Sequence, residues 1–205
     1  VVQDTSHIYT GYLEHLVDDP VIDRFYDGED IFIEEEELSL MPNQFVMLVS
    51  NQNEKKTALG RFINYTVPLR RINGKHNKTL WGVKPRNKEQ TFALDLLLDK
   101  SIDVVTLVGK AGSGKTLLAI AAGLHQVMEE ETYRRLVISR PIQPLGKDIG
   151  FLPGTMEEKM LPWLMPIQDN LKFLMGDRTS LEMYMDKGKI EVEALTYIRG
   201  RSNNT

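Results

Sequence analysis

The chain has 205 residues, of which 41% are hydrophobic and 26% charged, and its formal net charge is −4 at pH 7. These values suit one or two globular domains and exclude a disordered or fibrous protein. No apolar run reaches the ~20 residues of a membrane span, and no secretory signal opens the chain. Cysteine is absent, which excludes a disulfide scaffold and a cysteine nucleophile and suits a reducing compartment. We therefore expect a cytoplasmic protein that does not enter a membrane.

The charges are segregated along the chain. Residues 1–60 carry thirteen acids and three bases, whereas residues 61–88 carry eight bases and no acid. Bases interleaved with aromatic residues suit single-stranded nucleic acid, because cations follow phosphates and rings stack on bases. A solvated surface that pairs with the acidic first sixty residues is the alternative. The eight bases are Arg61, Arg70, Arg71, Lys75, Lys78, Lys84, Arg86 and Lys88.

The first 83 residues have weak periodicity. Residues 1–30 predict an irregular leader, the tail of an upstream domain, and Val1 in place of an initiator methionine agrees with this. Short apolar runs separated by turn signals follow, and they predict a small β-rich module over residues 31–83. Its expected strands are 31–33, 45–49, 60–67 and 80–83.

From residue 84 the pattern changes to alternating helices and strands. Asn87 and Gln90 form a capping-box pattern that opens a helix, and a β-branched run over 104–108 predicts a buried strand. A helix from Thr116 to about Glu130, a strand over 135–139 and a strand near 190–194 follow. This order predicts an α/β domain with a parallel sheet and flanking helices.

The sequence GKAGSGKT matches the phosphate-binding pattern G-x-x-x-x-G-K-[ST] in full. Gly109 and Gly114 would take positive φ and turn N–H groups inward, and the following helix would add its dipole. Lys115 would contact the β- and γ-phosphates, and the hydroxyl of Thr116 would bind Mg²⁺. The expected phosphate-binding residues are Gly109, Lys110, Ala111, Gly112, Ser113, Gly114, Lys115 and Thr116.

Other residues are candidates for ligand contacts. The amide of Gln90 can bond N6 and N7 of adenine, or it can simply complete the cap with Asn87. Arg140 follows the second strand, and ligands of open α/β sheets bind beyond the carboxyl ends of strands. We expect nucleic-acid or phosphate contacts at Arg140, Arg61, Arg70 and Arg71, with Arg199 and Arg201 as weaker candidates.

A carboxylate that would position Mg²⁺ and water is harder to find. Phosphate-loop hydrolases use an acid at the end of a later apolar strand. The strand after Thr116 ends in Arg140, and the segment 190–194 alternates apolar residues with Glu191 and Glu193. We therefore expect no catalytic acid within the chain, so that either the domain only binds nucleotide or the sheet is incomplete at its C-terminal end.

Several segments together resemble the PhoH-like ATPase family. They are WGVKPRNKEQ, VGKAGSGKT, ISRPIQPLGKDIGFLPG, EEKMLPWLMPIQDNL and ALTYIRGRS, and they cover residues 81–205. The resemblance implies a helicase-like P-loop ATPase domain that binds ATP and Mg²⁺, with Gln90 reading adenine. It implies that the strand carrying the catalytic acid follows the RGR segment, beyond Thr205.

The resemblance also implies partners. Some members of the family carry an upstream PIN nuclease domain, joined to the ATPase by a β-rich segment similar to residues 1–80. RNA unwinding or processing and a ring-like homo-oligomer are implied as well. A nucleotide-gated interaction module without turnover and a small-molecule or protein kinase stay open as alternatives.

Overall fold

The computed structural model describes residues 11–72, 79–140, 156–176 and 178–194. The chain divides into two compact units, Val1–His76 and Asn77–Thr205. Helices and strands occur in both units, so the protein belongs to the α/β class. None of the helices in the described ranges is long and apolar enough to cross a membrane.

The first unit is built on a four-stranded sheet in the order β1-β2-β3-β4. Strand β1 pairs with β2 in parallel, and β2, β3 and β4 are antiparallel neighbours. One helix, α1, connects β1 to β2, as a parallel pair requires a crossover. The elements are β1 Tyr12–Val17, α1 Asp19–Asp27, β2 Phe45–Ser50, β3 Thr57–Arg61 and β4 Arg70–Arg71.

Local sequence explains where α1 begins and ends. Pro20 lies in the first turn, where its missing N–H costs no hydrogen bond. Gly28 follows the helix with φ 98°, and its N–H bonds the carbonyl of Phe25. Ile22 and Phe25 are the buried residues of the helix, and they pack on the apolar face of the sheet together with Ile33, Leu40, Val46, Leu48, Ala58, Phe62 and Leu69.

The predicted irregular leader is wrong for residues 12–27, which form β1 and α1. The polar residues Glu14 and His15 interrupt the apolar pattern of β1. Its pairing with β2 joins segments far apart in the sequence, so a short window of sequence does not show it. The predicted strand at 31–33 is also wrong, because this segment has no ladder partner among the described residues. Leu80 and Val83 form only an isolated bridge, and they belong to the second unit.

The second unit places helices against a parallel pair of strands. Strands β5 and β6 are paired in parallel, with Leu136 opposite Ile190, as the sequence predicted. The core joins α2, α3, α4 and α5 to these strands through buried residues such as Leu94, Leu124, Leu171 and Leu181. The elements are α2 Lys88–Leu97, α3 Lys115–Leu124, β5 Leu136–Arg140, α4 Met156–Met175, α5 Arg178–Asp186 and β6 Ile190–Ala194; a π-helical turn, His125–Glu129, extends α3.

The predicted buried strand at 104–108 is wrong. This segment forms no strand, and Val104 and Val108 are 81% and 91% exposed. Its β-branched residues favour extended backbone, but a strand also needs a neighbour for its ladder, and no strand among the described residues pairs with it.

Candidate nucleotide-binding site

The phosphate loop lies directly before α3, whose first residue is Lys115. Gly114 is the N-cap with φ 85°, and Gly112 has φ 77°, a backbone region that side chains rarely adopt. The first N–H groups of the helix have no partner within it and form the positive end of the helix dipole. The loop therefore presents N–H donors where an anion would sit.

The helix behind the loop is held firmly. Leu118, Ile120, Ala121 and Leu124 are buried, so α3 is anchored along its length. At its far end, Gln126 Nε2 donates to the carbonyl of Leu97 at 3.0 Å and so ties the π-helical turn to the end of α2. This packing fixes the direction of the helix N-terminus.

A cluster of charged residues stabilises the end of α3 that lies away from the loop. Lys100 Nζ lies 3.2 Å from Glu130 Oε2, and the hydrogen bond from Lys100 is the main reason that the pKa of Glu130 lies below its usual value. His125 Nδ1 lies 2.9 Å from Glu129 Oε2 and its Nε2 lies 3.4 Å from Glu130 Oε1. These contacts support the scaffold at the end of α3 away from the loop.

Gly109 has a different role from the one predicted. Positive φ occurs at Gly112 and Gly114 but not at Gly109. A Cβ at Gly109 would lie 3.2 Å from Ser113 Oγ and 3.9 Å from Lys115 Cδ. The loop folds back closely on itself at this point, so limited space and not backbone conformation favours glycine at position 109.

Lys115 turns into the loop. Its Nζ donates to the carbonyl of Gly109 at 2.8 Å, to the carbonyl of Lys110 at 2.7 Å and to Ser113 Oγ at 3.2 Å. These bonds use all three ammonium hydrogens. The lysine charge is thus held at the centre of the loop, where phosphate oxygens could replace the loop's own acceptors.

Thr116 is the second residue of α3 and is exposed. A hydroxyl in the first turn of a helix that follows an anion site suits a metal ion held jointly with phosphate oxygens. Lys110, Ala111 and Gly112 are also exposed, so the loop is open to solvent. The ranges that the structure describes hold no cluster of three or more His, Asp or Glu side chains arranged for a metal ion.

Gln90 lies against the phosphate loop. Asn87 Oδ1 accepts the N–H of Gln90 at 2.9 Å, which confirms the predicted cap of α2. The side chain of Gln90 accepts the N–H of Arg86 at 2.8 Å and donates to the carbonyl of Ser113 at 3.2 Å. The bond to Ser113 crosses 23 residues of sequence, and no sequence signal predicted it.

The structure contradicts the expected nucleic-acid contact at Arg61, and it gives Arg71 partners within the first unit. Arg61 lies in β3 and is only 1% exposed, because its position faces the inside of the first unit. Arg71 donates from Nε to the carbonyl of Phe25 at 2.6 Å and from Nη2 to the carbonyl of Glu29, and its guanidinium lies 5.1 Å from the Phe25 ring centre. Both arginines serve the fold of the first unit.

The remaining basic candidates are distributed over both units. Arg70 is exposed in β4, and Arg140 ends β5 at the carboxyl edge of the parallel pair. Lys84 and Arg86 are exposed before α2. Lys75, Lys78, Arg199 and Arg201 lie outside the described residues.

A carboxylate of β6, that of Glu191, has its partner at the amino end of the parallel pair. Glu191 Oε2 lies 2.9 Å from Arg135 Nη1, so this carboxylate pairs with the start of the neighbouring strand segment. In the parallel register Glu191 lies opposite Val137, near the amino end of the pair. Glu191 therefore supports the β5–β6 pair and lies toward the edge opposite Arg140.

The fold and the loop define an α/β protein with a glycine-rich turn at a helix N-terminus. A family model described as "PhoH-like protein" matches residues 82–205. The chain belongs to this family, whose members generally bind ATP.

Alignments with similar proteins also include residues of the first unit. "Protein PhoH2" of Bacillus subtilis is 42% identical over 207 residues, which cover 98% of this chain and 46% of that protein. "Protein PhoH2" of Mycolicibacterium smegmatis is 43% identical over 146 residues, 71% of this chain and 32% of that protein. A "PhoH-like protein" of Bacillus subtilis is 38% identical over 104 residues, 50% of this chain and 32% of that protein. The chain thus spans less than half the length of these relatives, and no solved structure matches it.

Proposed function

We propose that this chain binds ATP with Mg²⁺ in a helicase-like P-loop domain, through the loop from Gly109 to Thr116. The observation that carries the proposal is the position of Lys115 Nζ inside the loop, 2.7–3.2 Å from three oxygens of the loop itself. An ammonium group held inside a glycine-rich loop adds its charge to the unpaired N–H groups of the helix N-terminus, and together they favour an anion.

Different loop residues would contact different parts of Mg·ATP. Lys115 would leave its contacts with the loop oxygens and bond the β- and γ-phosphates. The N–H groups that follow Gly112 and Gly114 would bond the remaining phosphate oxygens, because the two positive φ angles turn the backbone there. Thr116 Oγ1 would bind Mg²⁺, and the metal would neutralise charge on the phosphates.

Base recognition is assigned to Gln90. Its side chain lies beside Ser113, so an adenine read by this amide would be next to the phosphate loop. An amide can donate to N7 and accept from N6 of adenine, and guanine offers a different pattern. The proposal therefore includes a preference for ATP over GTP.

For the whole protein we propose ATP hydrolysis coupled to RNA unwinding or processing. Support comes from the ATP-binding family and from the exposed bases Arg70 and Lys84, with Arg140 at the end of β5. The described residues include no cluster of three or more His, Asp or Glu side chains that could hold a metal ion. An upstream PIN nuclease domain and a ring-like homo-oligomer complete the proposal, and both rest on the family resemblance.

The test is the affinity for Mg·ATP of the parent chain, Lys115→Ala and Lys187→Ala, measured by titration calorimetry. Lys187 is the control, because it is an exposed lysine of the second unit that lies outside the loop. We expect Lys115→Ala to weaken binding at least tenfold, about the effect of losing a charge-assisted hydrogen bond. Lys187→Ala should stay within about threefold of the parent. Equal affinity of parent and Lys115→Ala would reject the site.

A further inference from the structure

Gln90 contacts two separate parts of the backbone through one amide. Oε1 accepts the N–H of Arg86 at 2.8 Å, and Nε2 donates to the carbonyl of Ser113 at 3.2 Å. A Cβ placed on Gly114 would lie 3.2 Å from the same Nε2. The amide therefore rests against both residues of the Ser113–Gly114 peptide.

The amide retains capacity for a ligand. A glutamine side chain has two hydrogens on nitrogen and two acceptor sites on oxygen. The contacts with Arg86 and Ser113 use one of each. One donor and one acceptor remain, and these are the two groups that adenine recognition requires. Gln90 can thus bond a base and the loop together.

The contact with Ser113 also has a consequence for the loop. In a trans peptide the carbonyl oxygen and the following N–H point in opposite directions, and the described residues include no cis peptide. A bond that directs the Ser113 carbonyl toward Gln90 therefore directs the Gly114 N–H away from it. Gly114 has φ 85°, a backbone region that glycine adopts without steric cost.

We propose that Gln90 is a positioning residue of the phosphate loop, which orients the Ser113–Gly114 peptide and thereby couples base recognition to phosphate binding. The proposal rests on the proposed function and deepens it. A glutamine that only caps α2 would affect neither the loop nor the phosphates. A glutamine that only reads adenine would leave the loop unchanged when no nucleotide is bound.

The first test uses nucleotide-free protein and the backbone amide resonances of the loop. Gln90→Ala removes both side-chain contacts, whereas Gln90→Glu keeps an acceptor for Arg86 but places a carboxylate oxygen against the Ser113 carbonyl. Asn87→Ala is the control, because it removes the cap of α2 and leaves the Gln90 amide in place. We expect the Gly114 resonance to shift in both Gln90 variants and to stay unchanged in Asn87→Ala. A Gly114 resonance unaffected by Gln90→Ala would overturn the proposal.

The second test separates the phosphates from the base. Affinities for Mg·ATP and for Mg·tripolyphosphate, which has no base, are compared in the parent and the same variants. Gln90→Ala should weaken tripolyphosphate by about fivefold to tenfold, the effect of one lost hydrogen bond, and should weaken ATP further because the adenine contact is lost as well. Asn87→Ala should leave both within about twofold. If Gln90→Ala weakens ATP alone, the residue reads the base and does not position the loop.

The two proposals fail in different ways. If Lys115→Ala leaves both affinities unchanged, the phosphate site itself is wrong. If Lys115→Ala weakens both ligands while Gln90→Ala leaves tripolyphosphate binding intact, the site stands and the positioning role is rejected.

Discussion

At the scale of single residues, Lys115 and Gln90 share one property: each side chain already has hydrogen-bond partners within the protein before any ligand binds. Lys115 Nζ has three acceptors within the loop, and the Gln90 amide has one donor and one acceptor partner. Net binding energy is then a difference between protein–ligand and protein–protein hydrogen bonds. We infer that ligand affinity depends as much on these internal bonds as on the phosphates.

In the first unit, one lysine joins α1 to the turn between β2 and β3. Lys56 Nζ lies 2.6 Å from Asp19 Oδ2 and 2.7 Å from Asp23 Oδ1, and Ser50 Oγ donates to Asp19 Oδ1 at 2.6 Å. The hydrogen bond from Lys56 lowers the pKa of Asp19, and Ser50 adds to this effect. The pKa of Lys56 is raised, chiefly by its bond with Asp19.

These shifts predict a pH dependence of the first unit. A carboxylate with a lowered pKa contributes stability above about pH 4, and that stability is lost as the pH falls through the pKa of the folded state. A lysine with a raised pKa contributes below about pH 10 and loses its contribution above its folded pKa. We therefore expect Lys56→Met to lower the free energy of unfolding at neutral pH and to flatten its decline on both sides. Urea denaturation at a series of pH values from 3 to 11 measures the free energy of unfolding of the two proteins.

Lys55→Met is the matched control, because Lys55 is the exposed neighbour in the same turn. Its profile should follow that of the parent chain at every pH. Parallel profiles for Lys56→Met and the parent would show that the cluster contributes nothing measurable.

Residue roles could be predicted from sequence where they are local. The cap by Asn87 is set by residues three positions apart, and the loop motif places Lys115 and Thr116 at the helix start. The burial of Arg61 could not be predicted, because it depends on the pairing of β3 with β2 and on the residues packed around that pair.

At the scale of elements, the contact between α3 and β5 sets the position of the loop helix. A Cβ on Gly123 would lie 2.7 Å from Leu136 Cδ1 and 3.3 Å from its Cδ2. Glycine in a helix interior lowers helix stability by about 1 kcal/mol relative to alanine. We attribute the glycine at position 123 to the close approach of Leu136 in β5.

A double-mutant cycle tests this contact. Gly123→Ala should destabilise the second unit by about 1 kcal/mol, since an overpacking cost of about 1–3 kcal/mol outweighs the gain in helix propensity. In a Leu136→Ala background the clash is absent, so the same change should stabilise by about 1 kcal/mol. Urea denaturation gives all four values. The same effect in both backgrounds would contradict the close contact.

Elements were predictable where the apolar pattern and the tertiary pairing agree. Strands β2 and β5 form at apolar runs, β6 forms at a segment that alternates apolar and acidic residues, and all three have ladder partners. The run at 104–108 has the same local pattern but no partner among the described residues, and β1 has a partner but a weak pattern. Strand pairing depends on residues that are far apart in the sequence. A short window of sequence therefore shows the apolar pattern of a strand but not its ladder partner.

At the scale of the whole molecule, the proposed RNA contacts lie on both units and one of them is Arg140, at the carboxyl end of β5. Arg140→Ala should weaken binding of single-stranded RNA and reduce the slope of log affinity against log salt by about 0.7, the value for one phosphate contact on a single strand. Arg134→Ala is the control, because Arg134 is exposed before the opposite end of the strand. Fluorescence anisotropy at several salt concentrations measures both. Equal slopes for the parent and Arg140→Ala would remove Arg140 from the RNA site.

The central claim is that the loop from Gly109 to Thr116 binds the phosphates of ATP. The most direct measurement is a titration of the parent chain with Mg·ATP, followed through the backbone amide resonances. We predict saturable shifts that are largest at Gly112, Gly114 and Lys115, while the resonances of β2 in the first unit stay unchanged. Saturable binding that leaves the loop resonances in place, or no binding at millimolar Mg·ATP, would contradict the account.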